Sequence, residues 1–164
     1  MKTLILTHAD ADGLCSGAIL KSVHPEAEVF FTKPVSLLAD LKNLPEKYSK
    51  IFISDIAINK RDAKDIVSFL ERFPEESTSF QYPDPPILTW FDHHIIPSTI
   101  KKSDLEIDYV YYFNDLNACA SEIVYRQFEK TLPPEKVWLA IYGAIGDYIA
   151  ESEFVKTWMK SWDV

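Results

Sequence analysis

Between Thr7 and Gly13 the chain places one imidazole and two carboxylates, His8, Asp10 and Asp12, within five residues. Carboxylates crowded in this way repel one another unless a cation or a proton offsets their charge. The segment therefore reads as a metal ligand set. Taken singly, each residue also has an ordinary role: an aspartate ahead of a helix is often an N-cap, and Asp12 suits a cap as well as a ligand. Asp55 adds a carboxylate whose two oxygens can bridge two cations, or which can serve as a turn or cap residue. Asp92-His93-His94 forms a third cluster. Asp147 ends the apolar stretch WLAIYGAIGDY, where an unpaired carboxylate is costly, so it either caps a turn or closes the metal site. Gly143 and Gly146 weaken a helix interior and argue for close approach of another element or a bend near Asp147. Imidazole and carboxylate donors without thiolates suit manganese, iron or zinc, while magnesium prefers an all-oxygen shell; manganese is the first choice.

The elements that must position these groups follow from the apolar pattern. Short buried strands are predicted at 3–7, 28–32, 51–55, 87–91 and 107–113. Helices are predicted at 14–23, 60–73, 118–130 and 134–147, with Pro74 ending the second and Pro134 opening the last. In the second helix Ile66, Val67 and Leu70 face inward. Four prolines between Pro74 and Pro86 predict a surface loop. Strands alternating with helices indicate an α/β chain: a three-layer, Rossmann-like fold with a mainly parallel sheet flanked by helices. In such sheets the carboxyl ends of strands are the usual binding positions, and three clusters stand directly after strands. Phe154, Trp158, Met159 and Trp162 recur at helical spacing. That stripe either caps the core or makes 149–164 the start of a linker helix, open to self-association.

A length of 164 residues with 47% apolar character fits one domain, 1–164. No apolar run is long enough for a membrane span, and MKTLIL passes into HADADG without the features of a signal peptide, so a cytoplasmic chain without a membrane partner is expected. Cys15 and Cys119 are too few for a disulfide framework. A net charge of −8 disfavours tight gripping of long duplexes, although cations bound by carboxylates can still face a phosphate.

In their order along the chain, His8-Ala9-Asp10-Ala11-Asp12-Gly13, Asp55, Asp92-His93-His94 and Asp147 resemble motifs one to four of the DHH phosphoesterase family. That family includes RecJ-type single-strand exonucleases, oligoribonucleases, cyclic-dinucleotide phosphodiesterases and family II inorganic pyrophosphatases. The resemblance implies two divalent cations. His8 and Asp10 would hold one, Asp12, His93 and Asp147 the other, and Asp55 would bridge them. It further implies that His94 contacts the phosphate, while Asp92 orients the neighbouring imidazoles. The two-residue step from His8 to Asp10 resembles the exonuclease-type motif rather than that of the pyrophosphatases.

The activity so implied is hydrolysis of phosphoesters in short single-stranded nucleic acid or small nucleotides by a water activated between two metals, with His94, Asp92 and Asp55 at the reacting centre. A phosphatase, a cyclic-dinucleotide phosphodiesterase, and a weakly catalytic metal- or nucleotide-binding interaction module are the alternatives. Family members usually carry a second, smaller domain with a glycine-rich, substrate-binding motif. Nothing here matches it, since glycine occurs only at 13, 17, 143 and 146. A fragment, a natural single-domain version and half of a split enzyme are all compatible with that.

Overall fold

The computed structural model describes residues 2–44, 48–77 and 87–161. Its centre is a five-stranded, wholly parallel sheet of β1 (Thr3–Thr7), β2 (Glu28–Phe31), β3 (Lys50–Ser54), β4 (Ile87–Asp92) and β5 (Val110–Asn114), in the order β2-β1-β3-β4-β5. Alternate residues of the inner strands feed two separate cores. Leu4, Leu6, Ile51, Ile53, Leu88 and Trp90 face one side, against α2 (Leu37–Lys42) and α3 (Ala63–Ser77). Ile5, Phe52 and Phe91 face the other, against α1 (Ala11–Val23), α4 (Ala120–Phe128), α5 (Val137–Gly146) and α6 (Glu153–Ser161). Burial on both faces explains why these strands read as continuous apolar runs. The result is a three-layer, Rossmann-like α/β architecture.

The strand order decides where a site can form. From β1 the chain goes outward to β2, then crosses back to β3, so the flanking connections part above the carboxyl ends of β1 and β3. A buried polar lattice locks those two ends together. Thr7 Oγ1 donates to Gly13 O at 2.6 Å, Ser54 Oγ donates to Thr7 Oγ1 at 3.0 Å, and Ser16 Oγ lies 3.0 Å from Ser54 Oγ. All four residues are within the packed interior, where satisfied polar groups specify register.

Several boundaries differ from the predicted ones. Helix α1 starts at Ala11 rather than Leu14, because the Asp10 carboxylate accepts from Gly13 N at 3.0 Å and caps the helix; Asp12 lies inside the first turn. Helix α3 runs on to Ser77 through Pro74, which sits in the last turns where a missing N–H forfeits only one bond. Strand β5 begins at Val110, not Ile107, since Tyr109 has φ 68° and the left-handed kink breaks the extended run. The segment Pro134–Lys136 is a 3₁₀ turn leading into α5. Helix α2 has no counterpart among the predicted elements. The predicted proline-rich loop lies largely outside the described residues, as does Trp162. Phe154, Trp158 and Met159 pack on the α4–α5 side, with Phe154 and Trp158 ring centroids 5.7 and 6.5 Å from that of Tyr125, so this part of the stripe caps the core. No helix among the described residues is long and apolar enough to cross a membrane.

Candidate metal centre

Six side chains converge at the carboxyl ends of β1, β3 and β4: His8, Asp10, Asp12, Asp55, His93 and Asp147. They form two separate groups, His8 with Asp10 and Asp55, and Asp12 with His93 and Asp147, in each of which potential ligand atoms lie within 4.8 Å of one another. A third group joins Asp55 and His93 to His94. Such clusters of histidine and aspartate are compatible with one or two divalent metal sites.

Asp55 stands at the junction. Its Oδ2 is 3.9 Å from His8 Nδ1, and its Oδ1 is 3.3 Å from His93 Nε2, so its two oxygens look toward different histidines. The residue leaves β3 with φ 56°, a left-handed conformation that costs a non-glycine residue energy and is held here by surrounding bonds. Asp55 N donates to Phe91 O at 3.0 Å, and buried Trp90 Nε1 donates to Ile56 O at 3.1 Å. Asp55 Oδ2 and His93 Nε2 are buried without a hydrogen-bond partner. Orphaned polar atoms are uncommon in native interiors, and a cation beside each would satisfy it.

The electrostatics carry the same mark. Burial pushes the Asp55 carboxyl up to about 7, with the nearby His93 imidazole opposing the rise and negative charge on Asp12 and Asp10 adding to it. Burial acts to lower His93, but Asp55, Asp147 and Asp12 outweigh it and hold the imidazole at about 9. Asp147 is raised by burial, against the pull of His93 3.3 Å away. Asp10 is lowered: burial opposes the change, and hydrogen bonds from Asp55, Gly13 and His8 overcome it. Too few positive charges face too many carboxylates.

Asp12 is anchored from across the molecule. Its Oδ2 accepts from Ala120 N at 2.6 Å and its Oδ1 from Ser121 N at 2.9 Å, two of the free amides at the amino end of α4. Helix α5 passes so close that a Cβ on Gly143 would stand 2.6 Å from Asp12 Oδ1, and one on Gly146 would strike Ala11. The close approach expected of both glycines is present. Asp147 is the C-cap of α5 and also lies in the group with Asp12 and His93, so the two positions weighed for it from the sequence coincide.

Asp92 stays out of the three groups. It is buried and binds His94 Nδ1 through Oδ1 at 2.7 Å, which leaves the other ring nitrogen of His94 free. That hydrogen bond also raises the His94 pKa, with burial opposing. Tyr112 OH donates to Asp92 Oδ2 at 3.2 Å, and Asn114 Nδ2 donates to His94 O at 3.0 Å. Tyr112, Asn114 and the Ala120–Ser121 amides were not expected from the sequence. The available signal was the neighbouring register, in which Asn114 lies opposite Asp92 and Tyr112 opposite Trp90.

No known family model matches the chain, and no curated protein matches it by sequence. Solved structures do match in fold. An uncharacterized protein from Helicobacter pylori G27 shares 21% identity at a TM-score of 0.56 over 85% of this chain. CDC45 from Entamoeba histolytica shares 10% identity at 0.62 over 99%. RecJ in complex with Mn2+ from Thermus thermophilus shares 17% at 0.52 over 89%. The chain spans only 40%, 34% and 21%, respectively, of the length of those proteins.

Proposed function

We propose that the chain is the metal-binding part of a DHH-type phosphoesterase, hydrolysing phosphodiesters of short single-stranded nucleic acid or small nucleotides. The observation that carries this reading is Asp55: a buried, strained carboxylate with its oxygens turned toward His8 and His93, and with orphaned polar atoms on both residues of the Asp55–His93 pair. The likeness in fold to the Mn2+ complex of RecJ supports it. The donor set, four aspartates and two histidines without thiolate, suits manganese.

In this reading His8 and Asp10 hold one cation, Asp12, His93 and Asp147 hold the other, and Asp55 is shared. Cations bound there supply a water of lowered pKa and a sink for charge on the phosphoryl oxygens. The remaining work falls to the chain's own residues. Asp92 fixes the ring of His94 through Nδ1, so that the opposite nitrogen donates to a phosphate oxygen where charge develops. The amides of α4 and the lattice of Thr7, Ser16 and Ser54 hold the ligand-bearing ends rigid, which matters because small misplacements cost large factors in rate.

The test is Mn2+-dependent release of nitrophenol from a nitrophenyl phosphodiester. The parent should turn over slowly, and Asp55→Asn should lose at least about a hundredfold while staying folded. Turnover that survives the substitution at saturating Mn2+ would remove Asp55 from the centre and the reading with it.

A further inference from the structure

Helix α5 ends in a tight reverse turn. Tyr148 N donates to Ile145 O at 3.2 Å and Ile149 N to Ala144 O at 2.8 Å, the paired bonds that close a helix when the residue after the C-cap turns left-handed. Glycine is the usual occupant of that position, because a side chain there is strained. Here it is Tyr148, with φ 60°. The ring recovers nothing by packing, for Tyr148 is 95% exposed and makes no ring contact or side-chain hydrogen bond among the described residues.

Its place in the chain gives the strain a meaning: Tyr148 directly follows Asp147, whose Oδ2 lies 3.3 Å from His93 Nε2, so its backbone is one residue from the candidate metal centre. The same end of α5 bears half-exposed Ile145, and Gly146 brings it against Ala11, one turn from half-exposed Leu14 on α1. The acidic chain has no excess of positive charge for tracking a phosphate backbone. A flat, uncharged platform beside a phosphate site gains affinity in another way, by stacking on a base, and tolerates any base because each has a π-face.

We infer that Tyr148 is a stacking platform for the nucleobase joined to the phosphoester at this centre, which makes base-bearing phosphodiesters, rather than bare phosphate esters, the substrate class. The inference rests on the phosphoesterase reading above. Stacking on one aromatic ring corresponds to roughly 5- to 150-fold in affinity per base.

The experiment compares a dinucleotide with its abasic counterpart, the same sugar–phosphate skeleton lacking bases, in Mn2+. Both kcat/KM and affinity by titration calorimetry are measured. The parent should prefer the dinucleotide by about tenfold or more. In Tyr148→Ala and Tyr148→Gly the preference should fall to about one, chiefly through KM, while Tyr148→Phe keeps it. Tyr148→Gly should also melt at or above the parent temperature, since it relieves the left-handed strain. An unchanged preference in Tyr148→Ala, an equal loss on both ligands, or a parent that binds neither overturns the inference. Base preference in binding that disappears in Tyr148→Ala, in a protein that hydrolyses neither ligand, upholds the platform and defeats phosphoester hydrolysis instead.

Discussion

Gly143 of α5 packs against Ser121 of α4 so closely that a methyl group on its Cα would overlap the serine Oγ. Ser121 in turn donates its amide to Asp12 and its hydroxyl to Ala140 O at 3.3 Å. A helix interior is an unfavourable place for glycine, so its presence here is explained by this contact rather than by propensity. Gly143→Ala must push α5 away from α4 or turn Asp12 from its place, at an expected cost of about 1–3 kcal/mol. Calorimetric titration with Mn2+ should then show one of two equivalents lost or greatly weakened. Two equivalents at parental affinity would show that this contact does not position Asp12 and Asp147 for a cation.

Asp55 sets the pH dependence of the metal-free fold. Burial raises its carboxyl from 3.8 to about 7, so the folded state holds the proton more tightly than the unfolded one. The resulting stabilisation is complete below about 4 and is lost as the pH rises through 7. Asparagine carries no charge at any of these values. In chelator, Asp55→Asn should therefore melt several degrees above the parent at about pH 8, roughly 5 °C or more, with the gap closing toward about pH 4. A gap that is absent on the alkaline side, or that widens in acid, would contradict the sign.

Cation binding should expel protons. His93 sits at about 9 through its neighbouring carboxylates, although burial opposes this, and it must lose its proton to ligate. Asp55, raised by burial to about 7, contributes a further fraction near neutrality. Titration calorimetry at about pH 7 in buffers of different ionisation enthalpy should find about one proton or more released per binding event, with affinity weakening as the pH falls. Zero release would take His93 out of the ligand set.

The candidate ligand residues His8, Asp55 and His93 were legible in the sequence because the apolar runs of β1, β3 and β4 stop abruptly at a carboxylate or an imidazole, as at Thr7-His8 and Ser54-Asp55. The three-layer fold was legible for a related reason: strands covered on both faces differ in length and apolar density from the helices between them. What stayed hidden is long-range. Nothing near Asp12 indicates that its partners are the amides of Ala120 and Ser121, since backbone donors have no residue type. Tyr112 in β5 looked like an ordinary strand aromatic until its register placed the hydroxyl beneath Asp92. Helix α2 escaped because six residues are too few to establish a period. Local chemistry marked Asp12 as a candidate cap, and only the geometry gave the cap of α1 to Asp10 and made Asp12 the acceptor at α4.

The hydrogen bonds from Ala120 and Ser121 to Asp12 close loops of 108 and 109 residues. A loop of that size carries an entropic cost before any contact offsets it. While the chain is being synthesised, the amino-terminal ligands emerge long before α4 and α5 exist to receive them. During that interval Asp12 is only a hydrated carboxylate. A cation held by Asp12 together with His93 and Asp147 would bind only the assembled fold, so its stabilising effect would fall on the last stage of folding and not on the early ones. Metal uptake at that group would thereby be a record that α1 has met α4 and α5.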